Sequence, residues 1–174
     1  CHTKGNAVVS RFLATRVPWP GARVGSRVGV EEVRGNRVGG VSGAGESGRE
    51  SGKTEMLEDF SNGKHQPKSI VLTFDDGYED HSTTALPILA KYHYTATFFI
   101  VSGFVGKTFY MTAPQIQQLK LAGMEIGGHT ITHLNLAKAM YEKAVDEIGT
   151  SLETTDPVFA YPSGQYNSTT LDIV

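Results

Sequence analysis

The fold is decided by the stretch Ser69-Ile70-Val71-Leu72-Thr73-Phe74-Asp75-Asp76-Gly77, an apolar run that ends in two carboxylates and a glycine. A short apolar run that stops at a turn signal predicts a buried strand, here over residues 69–74. Strands without polar alternation are typical of parallel sheets covered on both faces. We therefore expect Asp75 and Asp76 to leave the carboxyl end of a buried parallel strand.

Beyond this run, strand patterns and helical periodicities alternate along the chain. Further strands are predicted over residues 95–101, 124–127 and 158–161. Helices are predicted over residues 82–92, 112–123 and 137–152. The last helix has four apolar positions at helical spacing, which we expect to form its buried face: Met140, Ala144, Val145 and Ile148. This alternation predicts an α/β domain with a mainly parallel sheet.

Polar residues follow three of the four predicted strands. Asp75 and Asp76 follow the first, His129 and His133 follow the third, and Pro162-Ser163-Gly164 follows the fourth. Because the carboxyl ends of parallel strands meet at one edge, we expect these groups to share a cleft. One carboxylate and two imidazoles can hold a metal with an open position, and the second carboxylate remains as a base.

Each motif taken alone also has a purely structural explanation. Asp-Asp-Gly is a common turn sequence. His129 and His133 are four residues apart, which can place two polar side chains on one helical turn. The sequence Tyr161-Pro162-Ser163-Gly164 can be an ordinary turn. His81 is close enough to Asp75 in sequence to be a candidate for supporting that carboxylate.

Composition divides the chain near residue 55. All arginines lie within residues 1–55, which carry a net charge of +4, whereas residues 56–174 carry −6. The first part is rich in Gly, Arg and Val without a sustained helical or strand period, so we predict a disordered leader or linker over 1–55 and one domain over 56–174. The total charge of −2 argues against nucleic acid as a main partner. The longest apolar stretch is far below the roughly 18 to 20 residues that a membrane span needs.

The leader contains two incomplete phosphate-binding patterns. Residues 43–48 satisfy G-x-G-x-x-G, and Ser51-Gly52-Lys53-Thr54 resembles the end of a Walker motif. The first glycine of a complete Walker motif is replaced by Ser47. Such loops must also follow a buried strand and open a helix, and no strong strand precedes this one. Nucleotide binding through the leader is therefore a minor alternative.

Three motifs together resemble the polysaccharide deacetylase family, the NodB-homology domain of carbohydrate esterase family 4. They are Thr73-Phe-Asp-Asp-Gly77, then His129-Thr-Ile-Thr-His133 preceded by Met124-Glu-Ile-Gly127, and finally Phe159-Ala-Tyr-Pro-Ser-Gly-Gln-Tyr-Asn167. The resemblance covers about residues 65–174. It implies a distorted (β/α) barrel that removes N-acetyl groups from an amino-sugar polymer of the peptidoglycan, poly-N-acetylglucosamine or chitin type.

The resemblance also implies roles for individual residues. Asp75 matches the family's general base, and its metal ligands correspond to Asp76, His129 and His133. Ser163 matches the position whose backbone N–H serves the oxyanion hole, with Tyr161 and Pro162 beside the substrate. Zn²⁺ is the first choice of metal, and the ligand set also suits Co²⁺ or Ni²⁺. The expected partner is an N-acetylated polysaccharide, which places the protein outside the cell or in its envelope; Cys1 is a candidate for lipid attachment.

Two departures from the family pattern limit these expectations. Ala160 stands where many members carry an arginine that orients the base. The chain also ends at Val174, before the family's later motifs, which include the histidine that acts as general acid. We therefore expect a truncated domain. A catalytically inactive polysaccharide-binding fragment is the main alternative, and in such a fragment Asp75→Asn would change nothing.

Overall fold

The structure is a computed structural model that describes residues 8–10, 28–32, 53–64 and 69–174. Within these ranges, seven strands form one sheet. The strands are β1 (Val8–Ser10), β2 (Val28–Glu32), β3 (Lys53–Glu55), β4 (Ser69–Phe74), β5 (Thr97–Ile100), β6 (Glu125–Gly128) and β7 (Val158–Ala160). Their order is β1-β7-β6-β5-β4-β2, and β3 also pairs with β4.

Strands β4 to β7 lie side by side in their sequence order, and every neighbouring pair among them is parallel. Helices lie between them in the chain, so each connection is a β-α-β crossover. This sequential winding is the arrangement found in (β/α) barrels. The α/β class and the mainly parallel sheet are confirmed; β2 is antiparallel to β4.

The helices of the described ranges are α1 (Leu57–Ser61), α2 (Leu86–Lys91), α3 (Ala113–Leu121), α4 (Tyr141–Leu152) and α5 (Ser168–Leu171). A π-helical turn over His81–Ala85 leads into α2, and Pro87 lies in the first turn of α2. None of these helices has the length and apolar character needed to cross a bilayer.

Helix α4 begins at a different residue from the predicted helix, and it buries partly different residues. It begins at Tyr141 because Met140 has an extended backbone, and residues Leu136–Lys138 form a separate 3₁₀ turn. Met140 is 76% exposed and Val145 is also exposed. The buried positions are Ala144, Glu147, Ile148 and Ser151. The predicted period was therefore right, but the face is rotated because it includes a glutamate and a serine.

The sheet is covered on both faces, as its apolar strands predict. Phe98 and Phe99 are adjacent in β5, so their side chains point to opposite faces, and both are fully buried. Phe98 packs with residues of α2 and α3, including Leu89 and Leu119. Phe99 packs on the other face with Leu57 of α1 and with neighbouring strands.

Part of the predicted leader belongs to the sheet. Strands β1, β2 and β3 all come from residues 1–55, and the rest of that segment, including the 43–48 glycine pattern, lies outside the described residues. Lys53 and Thr54 of the Walker-like sequence lie in β3, where the Thr54 hydroxyl accepts a hydrogen bond of 2.6 Å from the Thr95 N–H. They are therefore not at a helix N-terminus, where a phosphate loop would place them.

A buried carboxylate joins α1 to the amino edge of the sheet. Glu125 begins β6, and its two carboxylate oxygens accept hydrogen bonds of 3.1 Å from the backbone N–H groups of Leu57 and Glu58. The Thr97 hydroxyl, on the first residue of β5, also donates to this carboxylate. Burial raises the pKa of Glu125. This anchor lies at the edge opposite to the predicted site.

We expect Glu125→Ala to lower the free energy of unfolding by about 2–4 kcal/mol, because two backbone donors lose their acceptor in a buried environment. Urea unfolding followed by circular dichroism measures the change. Glu153→Ala is the control, since that glutamate is exposed, and it should stay within about 0.5 kcal/mol of the unsubstituted chain. Equal losses in both variants would contradict the anchoring role.

Candidate metal centre

Three ligand atoms converge at the carboxyl edge of the sheet. Asp76 follows β4, and His129 and His133 follow β6. The Oδ1 atom of Asp76 lies 3.4 Å from Nε2 of His129 and 3.2 Å from Nε2 of His133. One ligand atom from each residue lies within 4.8 Å of the other two. The structure thus brings together the three side chains predicted as metal ligands.

The orientation of His129 is fixed by a backbone group. Its Nδ1 atom lies 2.7 Å from the carbonyl oxygen of Ala160, at the end of β7. A carbonyl oxygen only accepts, so Nδ1 carries a proton, and in the neutral ring the lone pair of Nε2 then faces Asp76. A histidine that binds a metal usually donates its other ring N–H in this way.

The Asp76 carboxylate needs a positively charged neighbour. Its Oδ1 atom is buried and makes no well-formed hydrogen bond to the described part of the chain. Burial alone would raise the pKa of Asp76, but His129 and His133 outweigh burial and hold that pKa well below its usual range. Burial likewise lowers the pKa of His129, but the Asp76 and Asp75 carboxylates outweigh it and raise that pKa. The space between these groups therefore favours a positive charge.

A divalent transition metal fits this set of donors. One carboxylate oxygen and two imidazole nitrogens suit Zn²⁺, and they also suit Co²⁺ and Ni²⁺. The buried Oδ1 atom without a hydrogen bond and the inward lone pair of His129 are what a cation would satisfy. Three protein ligands also leave a position open for a water or a substrate oxygen.

The ligands lie on backbone that is unusual for their residue types. Asp76 has φ of 76° and Gly77 has φ of 78°, so Asp-Asp-Gly is a turn as well as the carrier of a ligand. Thr130 has φ of 66° and His133 has φ of 60°, which excludes a helical turn over 129–133. Left-handed backbone at a β-branched residue is rare and is concentrated at functional sites.

Helix α4 supports the loop between the two histidines. Glu147 is fully buried, and its carboxylate accepts hydrogen bonds from the N–H of Ile131 at 2.9 Å and from the N–H of Thr132 at 2.8 Å. The Thr132 hydroxyl donates to the same carboxylate at 2.8 Å. Glu147 was not predicted from the sequence: it lies beside Ala144 and Ile148 on α4, but a hydropathy pattern counts a glutamate as exposed.

The loop after β5 holds the same segment from the other side. The N–H of Ser102 donates to the carbonyl of Thr130 at 3.1 Å, and the N–H of Gly103 donates to the carbonyl of Ile131 at 2.9 Å. A Cβ atom at position 103 would lie 2.4 Å from that carbonyl oxygen. Glycine is therefore required there by close approach of two backbones.

The other predicted site residues lie at or near the same edge. Asp75 is half-buried and close enough to His129 for its charge to raise the histidine pKa. Ser163 is exposed, with φ of 55°, in the turn Pro162–Gly164 after β7. Tyr161 is buried, and its hydroxyl donates to the carbonyl of Thr170 at 3.1 Å. Burial also raises the pKa of Tyr161 to about 12. The proposed catalytic and substrate-binding roles of these residues stay predictions.

His81 is placed differently from the expectation. It is buried beside Phe74, and within the described residues neither of its ring nitrogens has a hydrogen-bond partner. His81 therefore does not hydrogen-bond Asp75. Burial lowers the pKa of His81 to about 4, so the ring is neutral at pH 7.

Glu147 predicts a dependence of stability on pH. Burial alone would raise its pKa, but hydrogen bonds from Thr132 and Ile131 and the ion pair with Lys143 outweigh burial and lower the pKa below the ordinary value of 4.5. With a folded-state pKa below the unfolded one, its contribution is present above pH 4.5 and is lost as pH falls through the lower folded-state value. We expect the difference in free energy of unfolding between the unsubstituted chain and Glu147→Gln to be smaller at pH 3.5 than at pH 7. Urea unfolding at the two pH values measures it. A constant difference would contradict the assignment.

Comparison with known proteins gives one matching family and relatives in Bacillus subtilis. A family model described as polysaccharide deacetylase matches residues 62–174. The YxkH protein of Bacillus subtilis (strain 168) is 34% identical over 115 residues, which cover 62% of this chain and 41% of YxkH. The peptidoglycan-N-acetylmuramic acid deacetylase PdaA of the same organism is 33% identical over 96 residues, covering 54% of this chain and 35% of PdaA. The chain thus spans about two fifths of the length of these relatives.

The fold of this chain is similar to that of a solved deacetylase structure. The Streptococcus pyogenes deacetylase PplD, determined in complex with acetate, superposes with a TM-score of 0.61 at 32% identity. The superposition covers 69% of this chain and 60% of PplD.

Proposed function

This chain belongs to the polysaccharide deacetylase family, and from that membership we propose that it is a metal-dependent hydrolase that removes N-acetyl groups from an amino-sugar polysaccharide. The observation that carries the proposal is the convergence of Asp76 Oδ1 with the Nε2 atoms of His129 and His133. The proposed substrate class is a peptidoglycan, poly-N-acetylglucosamine or chitin type of polymer. The relative PdaA, which is named for peptidoglycan, supports that class.

The reaction requires help because an amide resists attack by neutral water. A bound divalent ion, Zn²⁺ by first choice, supplies a Lewis acid that acidifies water and polarises the acetyl carbonyl. Asp76 is suited to hold it because its low pKa keeps the carboxylate ionised. His129 is suited to hold it because the Ala160 carbonyl fixes the required tautomer.

The proton and the developing charge are assigned to two further residues. We assign Asp75 as the general base that takes the proton of the attacking water, since it is adjacent to a ligand yet outside the three converging atoms. The amine that leaves as the C–N bond breaks takes up a proton from Asp75 or from solvent. Consecutive residues leaving a strand point in different directions, so Asp75 and Asp76 can divide these tasks. We assign the backbone N–H of Ser163 to the oxyanion of the tetrahedral intermediate, with Tyr161 and Pro162 shaping the cleft.

The proposal is tested by two measurements on the 174-residue chain. Calorimetric titration with Zn²⁺ should show one site per chain, and incubation with N-acetylglucosamine oligomers and metal should release acetate. A folded chain that binds no Zn²⁺ would overturn the metal centre. Zn²⁺ binding and oligomer binding without acetate release would instead support the inactive polysaccharide-binding alternative.

The proposed location follows from the substrate class. Peptidoglycan and related polymers lie outside the cytoplasmic membrane, so we place the protein outside the cell or in the cell envelope. Cys1, the candidate for lipid attachment, lies outside the described residues. The proposed ligands and base all lie within the predicted domain of residues 56–174.

A further inference from the structure

We propose that Glu147 is a positioning residue for the metal centre: its carboxylate fixes the backbone between His129 and His133 and thereby sets the distance between their Nε2 atoms. This inference rests on the metal centre proposed above and extends it, because Glu147 lies outside the three converging ligands. Glu147 would act through the loop and not on the substrate.

The contacts of Glu147 form a clamp on two successive residues. Oε2 accepts from the N–H groups of both Ile131 and Thr132, and Oε1 accepts from the Thr132 hydroxyl. Lys143 lies 3.2 Å from Oε1, one helical turn earlier on α4. Hydrogen bonds to an ionised acceptor are about twice as strong as those between neutral groups. The carboxylate therefore holds this loop more firmly than the turn could hold itself.

The loop needs such support because its conformation is unfavourable. Thr130 and His133 both have left-handed backbone, with φ of 66° and 60°, which costs energy at any residue except glycine. His129 is fixed independently, because its N–H donates to the Ile100 carbonyl of β5 and its ring is held by the Ala160 carbonyl. His133 follows Thr132 directly and has 32% side-chain exposure. The position of His133 relative to His129 thus depends mainly on what holds Ile131 and Thr132.

The choice of glutamate at this place is informative. An apolar side chain would fill the buried face of α4 without the cost of desolvating a charge, and well-packed apolar replacements of buried charges are often neutral or stabilising. Such a side chain could not accept hydrogen bonds from the N–H groups of Ile131 and Thr132. A buried glutamate here is therefore explained by the geometry of the loop and not by packing.

Three variants separate geometry from charge. Glu147→Asp keeps the charge but is one methylene shorter, so its carboxylate cannot reach both N–H groups. Glu147→Gln keeps the length, and its single oxygen can accept from both N–H groups while its amide donates to the Thr132 hydroxyl. Asp146→Asn is the control, because Asp146 is exposed on the same helix and pairs with Lys143.

The measurement is Zn²⁺ affinity of the folded full chain by calorimetry, together with the absorption spectrum of the Co²⁺ form. We expect Glu147→Asp to weaken Zn²⁺ binding by about 10- to 100-fold, as is usual when a group supporting a ligand is lost, and to change the Co²⁺ spectrum. Glu147→Gln should lose less than about tenfold, and Asp146→Asn should bind as the unsubstituted chain does. A role confined to stability would leave affinity and spectrum unchanged in any variant that folds.

The outcomes distinguish this inference from the proposed function. No Zn²⁺ binding by the unsubstituted chain would defeat the proposed metal centre itself. Normal binding by the unsubstituted chain and by a folded Glu147→Asp variant would overturn the role of Glu147 alone. If Glu147→Asp does not fold, Thr132→Val decides, because it removes only the hydroxyl contact. We expect it to weaken Zn²⁺ binding by about 2- to 10-fold, and unchanged affinity would overturn the inference.

Discussion

Replacing His129 by alanine is expected to weaken Zn²⁺ binding by on the order of 100- to 1000-fold, since zinc sites in proteins derive about 10–16 kcal/mol from about four ligands. His129 is 1% exposed and its Nε2 atom is one of the three that converge. The loss should be seen by calorimetry of the full chain, with circular dichroism to confirm that the variant is folded.

His93→Asn is the matched control for this experiment. His93 is exposed, and its φ of 55° is one that asparagine tolerates. It should bind Zn²⁺ as tightly as the unsubstituted chain. Tight binding retained by a folded His129→Ala variant would rule out the centre formed by Asp76, His129 and His133.

Substituting Asp75 by asparagine is expected to reduce acetate release by about 10²- to 10⁴-fold, the usual contribution of a positioned general base. Zn²⁺ should still bind, because Asp75 is not one of the converging ligands. Affinity should fall modestly, since the Asp75 charge contributes to the raised pKa of His129. The measurement is the rate of acetate release from N-acetylglucosamine oligomers at saturating metal, with the metal affinity of the same sample determined in parallel.

The control for Asp75 is Glu79→Gln, which removes an exposed carboxylate four residues further along the chain. Its rate should equal that of the unsubstituted chain. If Asp75→Asn released acetate at the full rate, another group would have to serve as base. If it lost metal binding together with activity, Asp75 would be a ligand and not a base.

Much of the site could be predicted because its functional side chains come directly after the ends of strands. The apolar run Ser69–Phe74 forms β4 as predicted, and the residues after it and after β6 meet at one edge. The carboxyl ends of parallel strands lie at the same edge of the sheet whatever the conformations of the loops. Short motifs far apart in sequence could therefore be assigned to one site.

The buried residue that holds the loop between the two histidines could not be predicted in the same way. Glu147 is buried because donors 15 and 16 residues earlier satisfy it, and a hydropathy pattern counts a glutamate as exposed. The predicted buried face of α4 was therefore rotated: Ala144 and Ile148 are buried as predicted, but Glu147 and Ser151 take the places given to Met140 and Val145. Strands β1 and β2 were missed because their sequences are too short, or too rich in glycine and charge, to show a strand period.

The hydrogen bond from His129 to Ala160 has a consequence for mutational studies of this protein. The acceptor is a main-chain oxygen, so replacing the Ala160 side chain leaves it in place, and a scan of side chains would assign position 160 no part in metal binding. Replacing the amide after residue 160 by an ester, through chemical ligation, would weaken the acceptor without altering any side chain. Because the acceptor belongs to β7, the hydrogen bond that favours the metal-binding tautomer of His129 forms only when that strand lies beside β6. Zinc affinity during refolding should therefore rise when β7 pairs with β6.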